Sequence, residues 1–433
     1  MIHPDKIRSV LTVFALLSFI GMIKRPFWGV ISYLMIMMLR PGLYYPILAK
    51  LRIELVVGVL VILYTVFSGK IKRVNATEDS ITKWMFILFG VMSLSMIQAM
   101  EFSVSWEWMN DFLKILLFFI MIVSLTDTLQ DCEILLLVFG LLTATIAYEA
   151  IYNYITGNIV ESMDESKRMS YAIANVGMGS GHVALSNMCN QALAVAWYVG
   201  VCHRNIMVKV FGVCLFIVLL IGVVVSGSRG GFIGLGAFFM CLILFSKKKL
   251  RIIMFELGVI GIIFIIKPEY LNFMKNVKVI GNTDMSTYSR FQGLTHGFQM
   301  LIRRPLLGVG PGCYPIARRA WFGWGLWAHN IYGEIMGDLG ILGVIAFYKF
   351  IRHYLSKAYN LIKLKLTLQP IDNMCNAIIV ATIIRLIIGM GSHSLYIFFW
   401  YMIAGVVVVM HRNALTELGK GNNKNEKHLP REK

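Results

Sequence analysis

The residues of this sequence that are best suited to chemistry lie at the ends of long apolar stretches. Arg229 stands in the segment Ser-Gly-Ser-Arg-Gly-Gly at 226–231, which separates two such stretches. Glycines allow the backbone to approach a ligand closely. Exposed amides at the start of the following helix, beside an arginine, suit an anion such as a diphosphate. A helical hairpin in which Arg229 extends toward lipid headgroups is the structural alternative.

A histidine opens a later apolar stretch. His329 and Asn330 precede this stretch, and the positive end of a helix dipole disfavours a protonated imidazole there. A neutral imidazole can accept a proton from a hydroxyl, which is what a general base must do. An interfacial histidine that caps the helix is the alternative. Glu334 and Asp338 follow one turn apart, and such acids either serve function or pair with Arg385.

A long polar stretch between these two places contains further arginines. Arg290 belongs to Ser-Arg-Phe-Gln-Gly-Leu at 289–294, although a single loop arginine is usually solvated. A Gly/Pro-rich segment, 305–312, predicts a turn after a helix end. The aromatic residues that follow, Trp321 to Trp327, are not typical of a disordered linker, and an interfacial aromatic belt is their alternative role.

The elements that position these residues are predicted to be membrane-spanning helices. Of the 433 residues, 58% are hydrophobic and 15% are charged, whereas a globular domain carries about 25% charged residues. The apolar stretches approach the roughly 20 residues of a transmembrane helix. The sequence therefore predicts an all-α polytopic membrane protein with about 12–13 transmembrane helices. The expected spans are 8–23, 27–40, 52–69, 84–100, 112–126, 132–152, 183–202, 208–225, 230–246, 252–266, 331–350, 374–391 and 393–411.

The charge distribution predicts which loops face the cytoplasm. The net charge of +18 comes largely from basic residues in short loops, which is the positive-inside pattern and argues against a nucleic-acid partner. The connection at 226–229 and the loop at 267–330 are then outside. The same alternation puts Arg40, Lys50 and Arg52 outside, so either the rule is locally violated or one early segment does not cross the membrane. The main basic clusters are Lys70 to Arg73, His203 to Lys209, Lys247 to Arg251 and Arg352 to Lys365.

The same pattern divides the chain into four parts. N-terminal transmembrane helices occupy 1–207, and a core with the long, partly helical outer loop occupies 208–350. C-terminal transmembrane helices occupy 351–411, and residues 412–433 form a disordered cytoplasmic tail. None of the seven cysteines forms a C-x-x-C pair, so no zinc or redox motif is indicated.

In order, spacing and common sidedness, these residues resemble the O-antigen ligase and polymerase superfamily of bacterial membrane proteins. The shared domain would cover about 208–345. Arg229 matches the family arginine at the outer break, and Arg290 with Leu294 matches its Arg-x-x-x-Leu element. His329-Asn330, with a spacer and Gly340, matches its His-(Asn/Ser/Gln)-spacer-Gly element. The segment 177–190 departs from the acidic-Asn pair that relatives often have, and we assign it no role.

The resemblance implies a metal-independent, inverting glycosyltransferase without a cofactor. Its donor would be a glycan linked to undecaprenyl diphosphate, and its acceptor a lipid or protein hydroxyl such as that of lipid A-core. His329 would deprotonate the acceptor, while Arg229 and Arg290 would hold the diphosphate. Few carboxylates, chiefly Glu269 and Asp284, stand in the outer loop, which argues against a divalent cation. Further residues that would contact the substrate are Asn330, Arg303, Arg304, Arg318 and Arg319.

The implied setting is the bacterial inner membrane, with the active site facing the periplasm and a role in lipopolysaccharide and other polysaccharide biosynthesis. Two alternatives remain open. A repeat-unit polymerase of the same superfamily shares the donor chemistry and differs in its acceptor. A transporter or flippase would explain outer arginines without any base. Transporters often contain inverted repeats and broken helices in both halves, whereas a Gly-rich break occurs only near 226–231.

Overall fold

The computed structural model describes residues 2–157, 181–246, 248–266, 285–364 and 371–426. These residues form helices and connections without a strand, which confirms the predicted all-α polytopic membrane protein. Glu269, Asp284 and the first four residues of the segment 177–190 lie outside the described residues. The helices are α1 (Pro4–Gly21), α2 (Phe27–Leu39), α3 (Pro46–Lys50), α4 (Ile53–Phe67), α5 (Ser80–Ser95), α6 (Phe102–Leu125), α7 (Leu129–Thr156), α8 (His182–Val195), α9 (Ile206–Ser226), α10 (Arg229–Phe245), α11 (Lys249–Ile266), α12 (Met285–Arg303), α13 (Tyr314–Phe322), α14 (Ile331–Lys363), α15 (Ile371–Ile388) and α16 (Phe399–Glu426).

Each expected span coincides with one of these helices, and α3, α12 and α13 are additional. Among the described helices, five are long and apolar enough to cross a membrane. Helices α2, α4 and α10 are apolar but shorter. Helix α16 continues to Glu426 and so extends into the segment that the sequence predicted as a disordered tail. The five are Ser80–Gln98, Phe102–Leu125, Leu129–Thr156, Ile206–Ser226 and Ile371–Gly391.

Ion pairs between connections define one end of the bundle, which we call the basic end. Asp127, between α6 and α7, pairs with both Lys70 and Arg73. Arg412 of α16 donates a 2.7 Å hydrogen bond to the carbonyl of Thr126. These contacts bring the ends of α4, α6 and α16 to the start of α7. Further pairs at this end join Arg25 to Asp131, His203 to Glu133 and Lys357 to Asp79.

Hydrogen bonds between neutral groups join several helices at the opposite end, which we call the site end. The Asn330 amide donates to the Met390 carbonyl at 3.0 Å, joining the start of α14 to the end of α15. Asn190 of α8 donates to the carbonyl of Gly231 at 2.9 Å, joining α8 to the start of α10. Because these bonds link helices that carry the predicted site residues, the starts of α8, α10 and α14 and the end of α15 meet there.

The positively charged connection at 40–52 lies at the site end as well. Arg8, near the start of α1, pairs with Glu149 near the end of α7, and its guanidinium lies 4.3 Å from the ring centre of Tyr44. Since α7 begins at the basic end, its last turns lie at the opposite end. Helix direction therefore places this connection with the site, although its charges run against the positive-inside pattern.

A break in α14 accommodates the Gly/Pro-rich segment. Gly340 interrupts the helix with φ 62° and ψ −160°, a left-handed conformation that an L side chain rarely adopts. Segment 305–312 passes along the break, where the Val309 amide donates to the Gly337 carbonyl at 2.9 Å. The Ile341 amide donates in return to the Pro305 carbonyl at 2.8 Å. Irregular backbone is tolerated inside a membrane protein only when its polar groups are satisfied in this way.

Two buried acids of α14 hold the loops around the break. The Asp338 carboxylate accepts hydrogen bonds from the amides of Gly312 and Tyr314 at 2.9 and 2.8 Å and from the Tyr396 hydroxyl at 3.0 Å. The Glu334 carboxylate accepts hydrogen bonds from the backbone amides of Ser394 and Leu395, in the connection before α16, at 2.9 and 3.0 Å. Both carboxylates therefore organise backbone at the site end.

Candidate active site

His329 occupies a strained position immediately before α14. Its φ is 46°, in the left-handed region, which costs a non-glycine residue roughly 1–3 kcal/mol. The next residue, Asn330, caps the helix, since its side-chain oxygen accepts from the amides of Tyr332 and Gly333 at 2.9 and 3.1 Å. The predicted capping role thus belongs to Asn330, and the backbone turns at His329. Strain of this kind commonly marks a functional position.

Helix α12 approaches the start of α14 closely because glycines line the crossing. A Cβ at Gly293 would collide with the carbonyl of Ala328, and one at Gly297 would collide with the backbone of Gly333. The Tyr314 hydroxyl also donates to the carbonyl of Gly293. This packing places Arg290, one turn before Gly293, next to the turn that contains His329.

Arg290 and His329 are close enough to interact electrostatically. The pKa of His329 is lowered from its ordinary value, first by burial and then by the charges of Arg290 and Arg318. The Arg290 side chain lies against the end of α15, where a Cβ built on Gly391 would stand 3.8 Å from its Cδ and Nη1 atoms. The structure thus brings the predicted base and one predicted diphosphate ligand together, in surroundings that favour the neutral imidazole.

The segment that contains Arg229 is held at the site end by contacts of α10 with α8 and α15. Ser228 caps α10, and its hydroxyl oxygen accepts a 3.3 Å bond from the Gly231 amide. A Cβ at Gly231 would collide with Ser186 of α8, so the start of α10 packs tightly on α8. Farther along α10, Gly234 lies against Ile388 at the end of α15. The end of α15 therefore contacts the elements of both Arg229 and Arg290.

Arg318 contributes its charge from a fully buried position. Its Nε atom donates to Nδ1 of His296 at 3.0 Å, and Nη1 donates to the carbonyls of Trp327 and Leu326 at 3.0 and 3.3 Å. The connection before His329 is therefore fastened to α13 by a guanidinium bonded to neutral atoms. Because its atoms are used in this way, Arg318 acts on the site through its field and by shaping the turn.

The remaining predicted substrate arginines occupy different surroundings. Arg304 donates a hydrogen bond to the carbonyl of Gln98 and so ties α12 to the end of α5. Arg303 lies 5.0 Å from the ring centre of Trp321, in a cation–π contact. Arg303 and Arg319 are exposed, and a role for either in glycan contact stays a prediction.

A second histidine, which the sequence-based reasoning missed, lies beside the first. The ring centre of His393 is 5.5 Å from that of His329, and its ring stacks on Trp327 at 5.4 Å with an interplanar angle of 19°. Burial, His329 and Arg385 together lower the pKa of His393 to about 4. The available signal was the polar tetrapeptide Gly-Ser-His-Ser at 391–394, where the expected spans 374–391 and 393–411 meet.

No group of three or more His, Cys, Asp or Glu side chains suited to a metal ion occurs within the described residues. The acids nearest to the site, Glu334 and Asp338, already accept backbone and hydroxyl hydrogen bonds. Independence from metals stays a prediction, since Glu269 and Asp284 are not described.

A comparison with known protein families finds a match in the central third of the chain. Residues 214–348 match the family model described as O-antigen ligase, which confirms the predicted resemblance to that superfamily. The matched segment contains Arg229, Arg290, His329 and Gly340, whereas His393 lies beyond its end. No curated protein matches the chain.

Proposed function

We propose that this multi-pass membrane protein, which resembles enzymes of the O-antigen ligase and polymerase type in cell-envelope polysaccharide assembly, is a glycosyltransferase with a lipid-diphosphate donor. It transfers a glycan from undecaprenyl diphosphate to a hydroxyl of lipid A-core or of another lipid or protein acceptor. The observation that carries the proposal is the strained position of His329 close to the Arg290 guanidinium, whose charge, together with burial, lowers the pKa of the imidazole.

The proposed reaction is a single displacement at the anomeric carbon of the donor sugar. The acceptor oxygen attacks this carbon while His329 removes the hydroxyl proton, and the bond between the carbon and the diphosphate oxygen breaks. Attack opposite the leaving group inverts the anomeric configuration. The proton then passes from His329 to the diphosphate or to solvent, which restores the neutral base.

The cations near the base suit a leaving group that departs with negative charge. Arg290 and Arg229 bind the diphosphate in this proposal, and Arg318 adds a fixed positive charge. Removing one such electrostatic contact typically costs about 10²–10³ in rate. The same positive charges disfavour a protonated His329. The arginines that bind the donor in this proposal therefore also favour the neutral imidazole, which can accept a proton.

The orientation of the bundle in the membrane supports a periplasmic active site. The basic end carries the short positively charged connections and faces the cytoplasm by the positive-inside pattern. The site end then faces the periplasm of a bacterial inner membrane, where an undecaprenyl-diphosphate-linked glycan is presented in this proposal.

The test is transfer by the purified protein in liposomes that contain a lipid-linked glycan. Release of undecaprenyl diphosphate and formation of the glycosylated acceptor are followed for the wild type and for His329→Ala. We expect the variant to lose at least about 10²-fold in rate, as is typical for removal of a general base. His353→Ala is the matched control, because His353 lies on the same helix near the basic end.

The outcome separates the possible acceptors and can also reject the proposal. Product formation on lipid A-core or another non-polyprenyl acceptor indicates a ligase, whereas glycan extension on a second lipid-linked chain indicates a polymerase. Wild-type rates in a folded His329→Ala variant would exclude His329 as the base. Passage of the intact lipid-linked glycan across the bilayer without transfer would indicate a flippase instead.

A further inference from the structure

His393 lies beside the candidate base, with 5.5 Å between the two ring centres. It lies in the connection between α15 and α16, and its ring makes contact with two rings of the turn before α14. One is Trp327, on which it stacks, and the other is His329, whose plane is tilted by 54° to its own. Trp327 in turn packs on Trp108 of α6, with 5.1 Å between ring centres. The ring of His393 is thus fixed between an aromatic cluster and the base.

Hydrogen bonds also hold the backbone on both sides of His393. The carboxylate of Glu334 accepts bonds from the amides of the two following residues, Ser394 and Leu395. On the preceding side, the Asn187 amide donates to the hydroxyl of Ser392 at 3.3 Å. Hydrogen bonds from α8 and α14 therefore hold both flanks of the residue, and a contact with His329 requires little further ordering.

The Nδ1 atom of His393 is buried and has no hydrogen-bond partner among the described residues. Buried polar atoms of native proteins nearly always have a partner, so an atom without one in a site indicates a role in binding or reaction. The charged groups around it are His329 on one side, Arg385 of α15 on the other, and Glu334 beneath the connection. A neutral ring in these surroundings is an acceptor for one proton donor.

We propose that His393 is a positioning residue that orients His329 and accepts a hydrogen bond from it, directly or through one water molecule, once His329 has taken the hydroxyl proton. The inference rests on the proposed function. It assigns no proton to His393 itself, because the proton stays on His329 until the diphosphate or solvent receives it. An ordered acceptor beside a general base stabilises the imidazolium that forms in the transition state and holds the productive ring orientation.

The role predicts a pH effect of defined sign. An acceptor that stabilises protonated His329 raises the pKa of this base, while burial, Arg290 and Arg318 lower it. Removing the acceptor therefore moves the acid limb of kcat/KM to lower pH. A merely structural role predicts the opposite shift, because a loosened site would hydrate His329 and return its pKa toward the ordinary value.

The experiment compares His393→Phe with His393→Asn in the liposome assay. Phenylalanine keeps a ring on Trp327 and removes both nitrogens, whereas asparagine keeps a polar atom near the position of Nδ1. We expect His393→Phe to lower kcat about 10- to 100-fold, the usual effect of losing an orienting partner, without a rise in the KM for the donor. His393→Asn should recover at least part of kcat, and the acid limb in His393→Phe should move to lower pH.

His353→Phe is the matched control, because His353 also stacks on a tryptophan, with 6.0 Å between its ring centre and that of Trp84. It should retain wild-type kcat. The inference is overturned if His393→Phe keeps wild-type kcat, if its acid limb moves to higher pH, or if both His393 variants are equally impaired. If His393→Phe does not fold, the inference is tested by comparing the rate and the pH profile of His393→Asn with those of His393→Gln, because glutamine places its polar atom near Nε2 rather than near Nδ1.

Failure of this inference is distinguishable from failure of the proposed function. An active wild type with an inactive His329→Ala variant and unchanged His393 variants would remove only the role of His393. A wild type that does not transfer glycan, or a His329→Ala variant that does, would remove the function on which the inference rests.

Discussion

The two ends of the bundle use charge in different ways. At the basic end, carboxylates pair with cations from other segments, as Asp127 does with Lys70 and Arg73. At the site end, the buried carboxylates Glu334 and Asp338 accept hydrogen bonds from loop amides and a hydroxyl. Glu334 and Asp338 thus fix backbone next to the candidate site, and the positive charges of the nearby arginines still act on His329.

Two histidines that stack on tryptophans, one near each end of the bundle, also differ in their hydrogen bonding. His353, near the basic end, lies on Trp84, and its Nδ1 atom is 2.6 Å from the Lys349 carbonyl one turn earlier. His393, at the site end, lies on Trp327 and has a buried Nδ1 atom without a partner in the described part of the chain. The Nδ1 atom of the first histidine lies within hydrogen-bond distance of a carbonyl of its own helix, whereas the second histidine lies against the rings of Trp327 and His329.

The largest effect is expected when the carboxylate that holds the break in α14 is removed. Asp338→Ala leaves the buried Tyr314 amide and Tyr396 hydroxyl without their acceptor, at about 1–3 kcal/mol each, and leaves the Gly312 amide with only the Tyr396 oxygen at 3.2 Å. We expect the folded protein to lose several kcal/mol of stability and the enzyme to lose transfer. Asp79→Ala, at the basic end, removes a helix cap and a partly exposed pair, and should cost about 1 kcal/mol.

Unfolding of the two variants in detergent, followed by thermal or denaturant titration, checks this difference. Equal losses of stability for Asp338→Ala and Asp79→Ala would contradict the view that carboxylates at the two ends have different roles.

The next effect is expected at the glycine of the break itself. Gly340→Ala places a Cβ at a positive φ and against the backbone of Leu306 and Gly308. Strain alone costs roughly 1–3 kcal/mol, and a shift of segment 305–312 would disturb the turn at His329. The matched control is Gly236→Ala in α10, where a Cβ meets no atom within 4 Å and a helical alanine is favoured. Transfer rates and melting temperatures of both variants test the prediction, and a Gly340→Ala protein as stable and active as Gly236→Ala would refute it.

A smaller and more specific effect is expected from Arg290→Gln. Transfer requires neutral His329, so kcat/KM falls as the pH drops through the pKa of this residue. Arg290 lowers that pKa, and its removal should therefore raise the pKa and move the acid limb to higher pH. The exposed Arg352 of α14 offers the control Arg352→Gln, whose acid limb should coincide with that of the wild type. An unmoved acid limb in Arg290→Gln would show that the arginine does not act on the base.

Much of the fold could be predicted because apolar stretches of spanning length have few alternatives in a bilayer. The expected spans coincide with the observed helices, since each backbone group in lipid must be bonded within its own helix. The break at Gly340 was not predictable in the same way. Its glycine stands in an otherwise helical pattern, and only the passage of segment 305–312 beside it explains the left-handed conformation.

The candidate site was predictable where residue type and position along a helix carry the chemistry. His329 and Asn330 at a helix start, and Arg229 at a Gly-rich break, are visible in a linear sequence. The association of His393 with His329 joins residues far apart in the chain and depends on how two connections fold onto each other. The role of Arg318 likewise depends on burial, which a loop pattern alone does not report.

The smallest effect is expected at the basic end. Lys70→Ala removes one of the two cations that Asp127 contacts, and the second, Arg73, keeps segment 70–73 paired with the connection between α6 and α7. Partly exposed pairs of this kind contribute about 0–1 kcal/mol, and less at high salt, because water and ions screen them. We therefore expect a change in unfolding free energy within this range, with unchanged kcat and an unchanged acid limb. A loss of transfer in Lys70→Ala without loss of stability would mean that the basic end takes part in the reaction, and the functional contrast between the two ends would then no longer hold.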